Sequence, residues 1–255
     1  AAGIAFPYMW MLISSFREGS DVFVKDQFFP AVWRWQNYPD AMAMAPFDKF
    51  FLNSTITSLM TVFFQLITCP LAAFAFAKLE FKSKNLLFTL FLCTMMIPGE
   101  STIISNYLSI SAWKLTNTRF AIVAPDMTSM FGIFLLRQLY RTIPDELMEA
   151  ARIDGARTRH LFWHVALPLG KGALATVAIF AFVGSWNSYL WPTLVTTQDS
   201  MRTVQTGLRY MVNPELGSEW PLIMAASATI IIPVLVLFIG LQKYFVQGIS
   251  KVGLK

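Results

Sequence analysis

Hydrophobic residues make up 55% of this 255-residue chain and charged residues only 14%, against roughly a quarter charged in a soluble domain. That balance excludes an ordinary soluble globule and points to a polytopic membrane protein. The formal net charge of +5 comes from bases dispersed among apolar runs, a poor pattern for nucleic-acid binding, and the two cysteines, Cys69 and Cys93, lie inside apolar runs with neither zinc spacing nor a disulfide framework.

An apolar helix needs about 20 residues to cross the hydrocarbon core. The opening run, Ala1 to Phe16, is too short to cross and lacks the basic start and small-residue cleavage site of a signal peptide. We read it as the remnant of a first helix whose start is missing. Segments of spanning length follow at 50–77, 86–109, 119–139, 172–195 and 221–242, which gives six spans in an all-α membrane protein, a single transmembrane domain over 1–255. Pro70, Pro98, Pro125, Pro192 and Pro233 lie in or at the edges of these spans, where proline removes an internal hydrogen bond and kinks the helix. Met96-Ile97-Pro98-Gly99-Glu100 is the sharpest break, and Ser101 to Trp113 is expected to form an offset helix. Broken membrane helices are tolerated where they line protein or a watery cavity, so the break marks either a translocation path or plain packing geometry.

Bases concentrate on cytoplasmic loops. With loops taken in alternation, twelve of the 20 bases fall on one side, among them Lys78, Lys82, Lys84, Lys243, Lys251 and Lys255, with five of the 15 acids. The other side holds eight bases and ten acids, including Asp21, Lys25, Asp26 and Glu215. Segment 142–168 and the C-terminus are therefore expected to face the cytoplasm, and loops 17–49 and 193–220 to face outward.

Segment 142–168 is a charged island between apolar runs. Thr142-Ile143-Pro144-Asp145-Glu146 reads as a helix start, with Thr142 as cap, Pro144 in the first turn, and Asp145 and Glu146 at the positive end of the helix dipole. Glu149-Ala150-Ala151 follows, and the small alanines allow close approach of another surface. Asp154-Gly155 is a stop in which Gly155 takes the left-handed conformation. A second short helix is expected at about 157–167, closed by Pro168. Met148, Ile153, Leu161 and Phe162 supply apolar contacts, and Arg152, Arg157 and Arg159 a cationic rim. Such a helix–turn–helix is either a knob for a water-soluble partner or a loop folded against its own bundle.

The pattern Glu149-Ala150-Ala151, Asp154-Gly155-Ala156, Phe162, Leu167-Pro168 resembles the EAA loop of permease subunits of binding-protein-dependent ABC importers. Phe6-Pro7-Tyr8-Met9-Trp10 to Ser15-Phe16-Arg17, Asn53-Ser54, Met96-Ile97-Pro98, Trp186-Asn187, and Tyr244-Phe245-Val246 with Gly248 resemble the carbohydrate-uptake branch, in particular the smaller permease of maltose- and glycerol-3-phosphate-type systems. One departure is Gly170-Lys171-Gly172, where many relatives carry a proline after Leu-Pro-Leu. The resemblance implies the type I importer permease fold, with 142–168 as a coupling helix seated in a cleft of an ATPase. It also implies a homologous second permease, two ATP-binding cassette subunits that hold ATP and Mg, an extracytoplasmic substrate-binding protein, a prokaryotic inner-membrane location, and alternating access. The cargo it implies is a carbohydrate, with glycerol-3-phosphate or a related polyol phosphate as second choice.

Other constellations are weaker. His160 and His164 have helical metal-pair spacing but no third ligand, so surface histidines are the better reading. Gly170-Lys171 ends like a phosphate-binding loop, but Val165 stands where the first glycine is required; no cofactor is expected on this chain, and ATP must bind elsewhere. Asp126 near the fourth span is a functional candidate as an intramembrane ionisable group; an ion-coupled carrier, the remote alternative, would need more such groups. Trp186-Asn187-Ser188-Tyr189 crowds aromatics and amides, which suits sugar stacking, but membrane-interface or packing roles suit it better. Asn53, Gln65 and Asn106 complete the substrate-path candidates.

Overall fold

A computed structural model describes residues 2–19, 28–212 and 219–250, without the side chains of Ala2, Ile4, Tyr210, Leu241 and 243–250. Asp21, Lys25, Asp26, Glu215, Lys251 and Lys255, and the side chains of Lys243 and of the Tyr244-Phe245-Val246 motif, lie outside the described residues. The helices, in order, are α1 (Ala2–Ser14), α2 (Asn37–Ala43), α3 (Phe47–Lys78), α4 (Lys84–Thr94), α5 (Ile103–Ala112), α6 (Arg119–Val123), α7 (Met130–Arg141), α8 (Asp145–Ile153), α9 (Thr158–His160), α10 (Leu167–Leu169), α11 (Lys171–Asn187), α12 (Leu190–Val195), α13 (Val204–Leu208) and α14 (Trp220–Ser250). No strand occurs among the described residues.

Polarity on α3 is inverted relative to a soluble helix. Asn53, Ser54, Thr57, Ser58, Thr61 and Gln65 are buried, while Leu52, Leu59, Phe63, Ile67 and Leu71 are exposed. The apolar set recurs at intervals of four and seven, one face of a helix. Exposure of such a stripe costs nothing in lipid, and small polar side chains pack well between membrane helices. Ile232, Leu235, Val236 and Ile239 repeat the pattern on α14. Pro70 and Pro233 leave both helices unbroken.

Among the described residues, two helices, α3 and the Trp220–Gly240 part of α14, are long and apolar enough to cross a membrane as single rods, and three bent pairs bring the number to five at most. The expected 86–109 span is two short helices: α4 stops at Thr94, and Gly99–Ala112 leaves at 94° to it, at the Pro98 break. Arg119–Asp126 and α7 meet at 46°, where Pro125 interrupts the helix and Ser129 restarts it by accepting a hydrogen bond from Gly132 N at 3.2 Å. The 172–195 span ends early, with α11 stopping at Asn187 and α12 resuming at Leu190.

The chain forms two compact units. The first comprises 1–56, 117–119 and 186–236; the second comprises 57–116, 120–185 and 237–255. In the first unit, Asn53 Nδ2 donates to Ser200 O and Arg202 O, Arg119 Nε donates to Asn53 Oδ1, and Val204 N donates to Ser54 Oγ. The start of α3 thereby fastens the segment leading into α13, and Gly207 of α13 lies so close to the Phe50 ring that no Cβ fits there. In the second unit, one cluster of buried side chains, including Phe74, Leu136, Tyr140, Met148, Leu161, Phe162 and Val177, joins the helices to segment 142–168.

Candidate functional site

The charged island folds as a knob whose inner face belongs to the core of the second unit. Met148 is buried and Ala151 and Ala156 partly so, while Glu149, Ala150, Arg152 and Asp154 point outward. Asp145 and Glu146 occupy the first turn of α8 as expected. Thr142 does not cap that helix. It closes α7 instead, donating from Oγ1 to Leu139 O at 2.7 Å, and Pro144 takes the cap position. The turn after Arg141 is too tight for the hydroxyl to reach forward, so it bonds back to the helix it has just left.

The Ala-Ala and Asp-Gly-Ala spacing has a local physical cause. Gly155 has φ +86°. Its N–H donates to Arg152 O at 3.0 Å, and the Ala156 N–H donates to Ala151 O at 2.9 Å. Those two bonds are the Schellman closure of a helix, and the motif brings the residue after the glycine against the one five positions earlier. Here these residues are Ala151 and Ala156, both packed against the core. Only glycine takes this backbone without strain.

Beyond the turn, the predicted 157–167 helix is not closed by Pro168. The chain passes from α9 through a wide π-type segment, Leu161–Ala166, into α10, and breaks at Gly170. Pro168 sits in the first turn of α10, where its missing N–H is tolerated. The bend into α11 is 77°. A Cβ on Gly170 would lie 3.0 Å from Tyr140 Cε1 and 3.1 Å from its hydroxyl, so the departure at Gly170-Lys171-Gly172 is what lets the buried Tyr140 ring seat against the bend. Leu161 and Phe162 are buried, with the Phe162 and Phe74 rings edge-on at 5.5 Å. Of the four residues expected to supply apolar contacts, Ile153 is 86% exposed, whereas Met148, Leu161 and Phe162 are buried. It falls on the face of α8 away from Met148, one helical turn from Glu149.

One contact was missed at the sequence level. Lys78, the last residue of α3, donates from Nζ to Ile143 O and to Asp145 Oδ1, both at 2.6 Å. Its side chain is buried, whereas Asp145 is exposed. The hydrogen bond and charge of Lys78 hold the Asp145 carboxyl below the usual carboxylate range. A lysine at the end of an apolar span was the available signal, although the topology count absorbed it as one more base.

A cleft of about 420 Å³ lies between the end of α8 and the π segment, lined by Asp154, Gly155, His160 and His164 among others. The two imidazoles stack with centroids 5.7 Å apart. No group of three or more potential metal ligands occurs among the described residues.

The substrate-path candidates scatter. Trp186 is 1% exposed and its Nε1 donates to Ile230 O at 3.1 Å, so it has no free face for a sugar. Asn53 is committed to the backbone contacts already described. Asn187 lines a largely apolar cavity of about 700 Å³ in the first unit and accepts from Gln205 Nε2 at 3.3 Å. Tyr189 is exposed, and Asn106 sits half-buried on α5, in the lining of neither the 700 Å³ cavity nor the smaller one below. Gln65 alone joins other polar side chains, in a pocket of about 210 Å³ in the second unit with Thr61, Asp126, Ser129 and Ser185.

Residues 3–251 match the family of binding-protein-dependent transport system inner membrane components. The chain belongs to that family. It is 33% identical to the sn-glycerol-3-phosphate transport system permease protein UgpE of Yersinia pestis bv. Antiqua (strain Antiqua), over 96% of this chain and 90% of the relative. It is 31% identical to the arabinooligosaccharides transport system permease protein AraQ of Halalkalibacterium halodurans, over 98% and 91%. Among solved structures, it is similar to a chain of a bacterial ABC transporter involved in the import of the acidic polysaccharide alginate, with a TM-score of 0.84, 25% identity, and coverage of 95% and 91%. The chain is thus an inner-membrane ABC importer permease with the all-α type I fold, not an enzyme; the family works with a substrate-binding protein and an ATPase carried by other subunits.

Proposed function

We propose that this permease subunit carries a carbohydrate from an extracytoplasmic binding protein into the cytoplasm by alternating access, and that the 142–168 knob is the point at which the ATPase pushes on it. The chain pairs with a homologous, distinct permease and two ATP-binding cassette subunits, which hold ATP and Mg. The knob and the C-terminus face the cytoplasm, in keeping with the twelve bases on that side. Glu149, Ala150, Asp154 and Gly155 form the docking face; Ala151, Ala156, Phe162 and Leu167 anchor it to the core, and Pro168 sets the first turn of α10.

The observation that carries this reading is the two-sidedness of the knob. Its inner side chains are continuous with the helix core, while its outer face presents Glu149 and, four residues on and one helical turn away, the exposed Ile153. Burial of that side chain against a partner would be worth about 1.5–3 kcal/mol. A neutral oligosaccharide is preferred as cargo, in line with the likeness to AraQ. The likeness to UgpE keeps a polyol phosphate as second reading. The test is thiol cross-linking from Glu149→Cys and Ile153→Cys in a Cys93→Ser background, Cys69 being buried. Capture of the ATPase in importing cells is expected; its complete absence from both positions rejects the docking role.

A further inference from the structure

The 210 Å³ pocket of the second unit has the composition of a sugar subsite, and of one that rejects phosphate. Five side chains of the lining, Thr61, Gln65, Asp126, Ser129 and Ser185, carry polar atoms. Thr61 Oγ1 donates to Thr57 O at 3.0 Å and toward Ser185 Oγ at 3.4 Å, so the Ser185 hydroxyl keeps its own proton to give. Gln65 Nε2 donates to the main-chain oxygen of Asp126 at 2.8 Å, which fixes the amide and leaves its carbonyl oxygen open. The Asp126 carboxylate makes no hydrogen bond or ion pair with any described residue. An intramembrane carboxylate without a partner is costly, and one that persists marks a functional site by default.

The lining also includes two aromatic rings. Phe131 and Phe180 both line the pocket, their rings edge-on with centroids 5.3 Å apart. Ring faces carry negative charge and attract the slightly positive C–H surface of a sugar, while a carboxylate accepts short, charge-assisted bonds from hydroxyls. The volume equals about seven waters of bulk liquid, enough for one monosaccharide-sized group. No Lys, Arg or His lines the pocket, so a phosphate ester, with a charge of roughly −1.5 to −2, would face Asp126 with nothing to neutralise it. Discrimination by like-charge repulsion is an established route to specificity.

We propose that Asp126, Gln65 and Ser185 bind the hydroxyls of an uncharged sugar ring stacked on Phe131 and Phe180 during its passage, and that this pocket excludes phosphorylated cargo. The proposal rests on the importer reading above and deepens it. It places the carbohydrate contact of this subunit here and not at Trp186.

The test uses the assembled importer in proteoliposomes, with a reporter cysteine at Gly184, where a Cβ meets nothing within 4 Å, in the Cys93→Ser chain. The rate of labelling by a water-soluble thiol reagent is measured with added arabinose, glucose, maltose or sn-glycerol 3-phosphate. At least one neutral sugar is expected to slow labelling threefold or more, and sn-glycerol 3-phosphate to leave it unchanged. Asp126→Asn is expected to raise the protecting sugar concentration at least tenfold, and Asp126→Glu to restore most of it. Protection by sn-glycerol 3-phosphate equal to that by sugars, protection by none of the sugars, or protection by sodium ions alone each overturns the subsite. ATP-driven uptake by the same vesicles separates the two ideas: vesicles that import cargo while no sugar protects the cysteine refute the pocket and leave the importer reading standing.

Discussion

Replacing Gly155 offers a test in which one physical quantity changes at a time. A Cβ at this position meets nothing within 4 Å, so Gly155→Ala alters no packing. What changes is the cost of holding φ at +86°, which for an L-residue in the left-handed region is about 1–2 kcal/mol. That is a factor of roughly 5–30 in the population of the closed turn. Asparagine visits this region more readily, so Gly155→Asn falls between glycine and alanine. Proline fixes φ near −65° and removes the N–H that now donates to Arg152 O, so Gly155→Pro destroys the turn. The assay is cargo-stimulated ATP hydrolysis and uptake by the reconstituted importer, with the amount of inserted permease measured in parallel. The expected order of coupling is Gly > Asn > Ala > Pro, with insertion equal throughout and uptake uncoupled from hydrolysis in the proline variant. Equal coupling in Gly155→Ala and Gly155→Pro would refute the claim that this turn transmits force.

Two further perturbations separate the roles of individual contacts. Lys78→Met keeps the buried stem but removes the bonds to Ile143 O and Asp145, and is expected to raise hydrogen exchange over 143–153 and to lower uptake several-fold. Because Lys78 depresses the Asp145 carboxyl, the ion-pair contribution is fully present above the ordinary aspartate pKa of about 3.9 and is lost as pH falls through the lower folded value; the difference between wild type and Lys78→Met should thus be flat from pH 5 to 8, and a difference that vanishes between pH 8 and 6 contradicts the assignment. Trp186→Phe removes the hydrogen bond to Ile230 O, worth about 1 kcal/mol, and is expected to lower the Tm of the purified complex by a few degrees with the KM for uptake unaltered. A tenfold rise in KM would return Trp186 to the substrate path.

What could be read from the sequence was whatever depends on neighbours along the chain. The Gly155 turn, the acidic first turn of α8 and the Pro98 break are local, and the structure has each of them. The span ends were less legible because hydropathy averages over a window and does not register a bend: 86–109 is apolar throughout yet turns by 94°. Residues whose role depends on distant partners were less legible. Packing was the better reading for Trp186, and its bond to Ile230 is in keeping with that; nothing along the chain pointed to the 200–202 segment as the partner of Asn53. Ile153 points outward because the phase of α8 is set by Met148 and Ala151 packing against the core. Phe131 and Phe180, 49 positions apart by number, meet only once the second unit is folded.

The helix α7 links the pocket to the knob. Ser129, its cap, and Phe131 and Gly132 in its first turn line the pocket, whereas Leu136 and Tyr140 near its far end belong to the core that holds Phe162 and Met148. Its 12 residues span about 18 Å at 1.5 Å per residue. A helix of that length is stiff, and its neighbours are close-packed: a Cβ on Gly132 would already lie 3.1 Å from Cys69 Sγ and 3.3 Å from Val177. Packed interiors do not yield gradually but shift between discrete arrangements. On the docking role proposed above, pressure on the knob would reach the pocket wall as movement of a whole helix rather than dissipating in a flexible loop. By linkage, the coupling runs equally in reverse: a sugar that favours one placement of Phe131 favours the matching placement of Tyr140 and of the knob behind it, which is how an occupied pocket would signal to an ATPase it never touches.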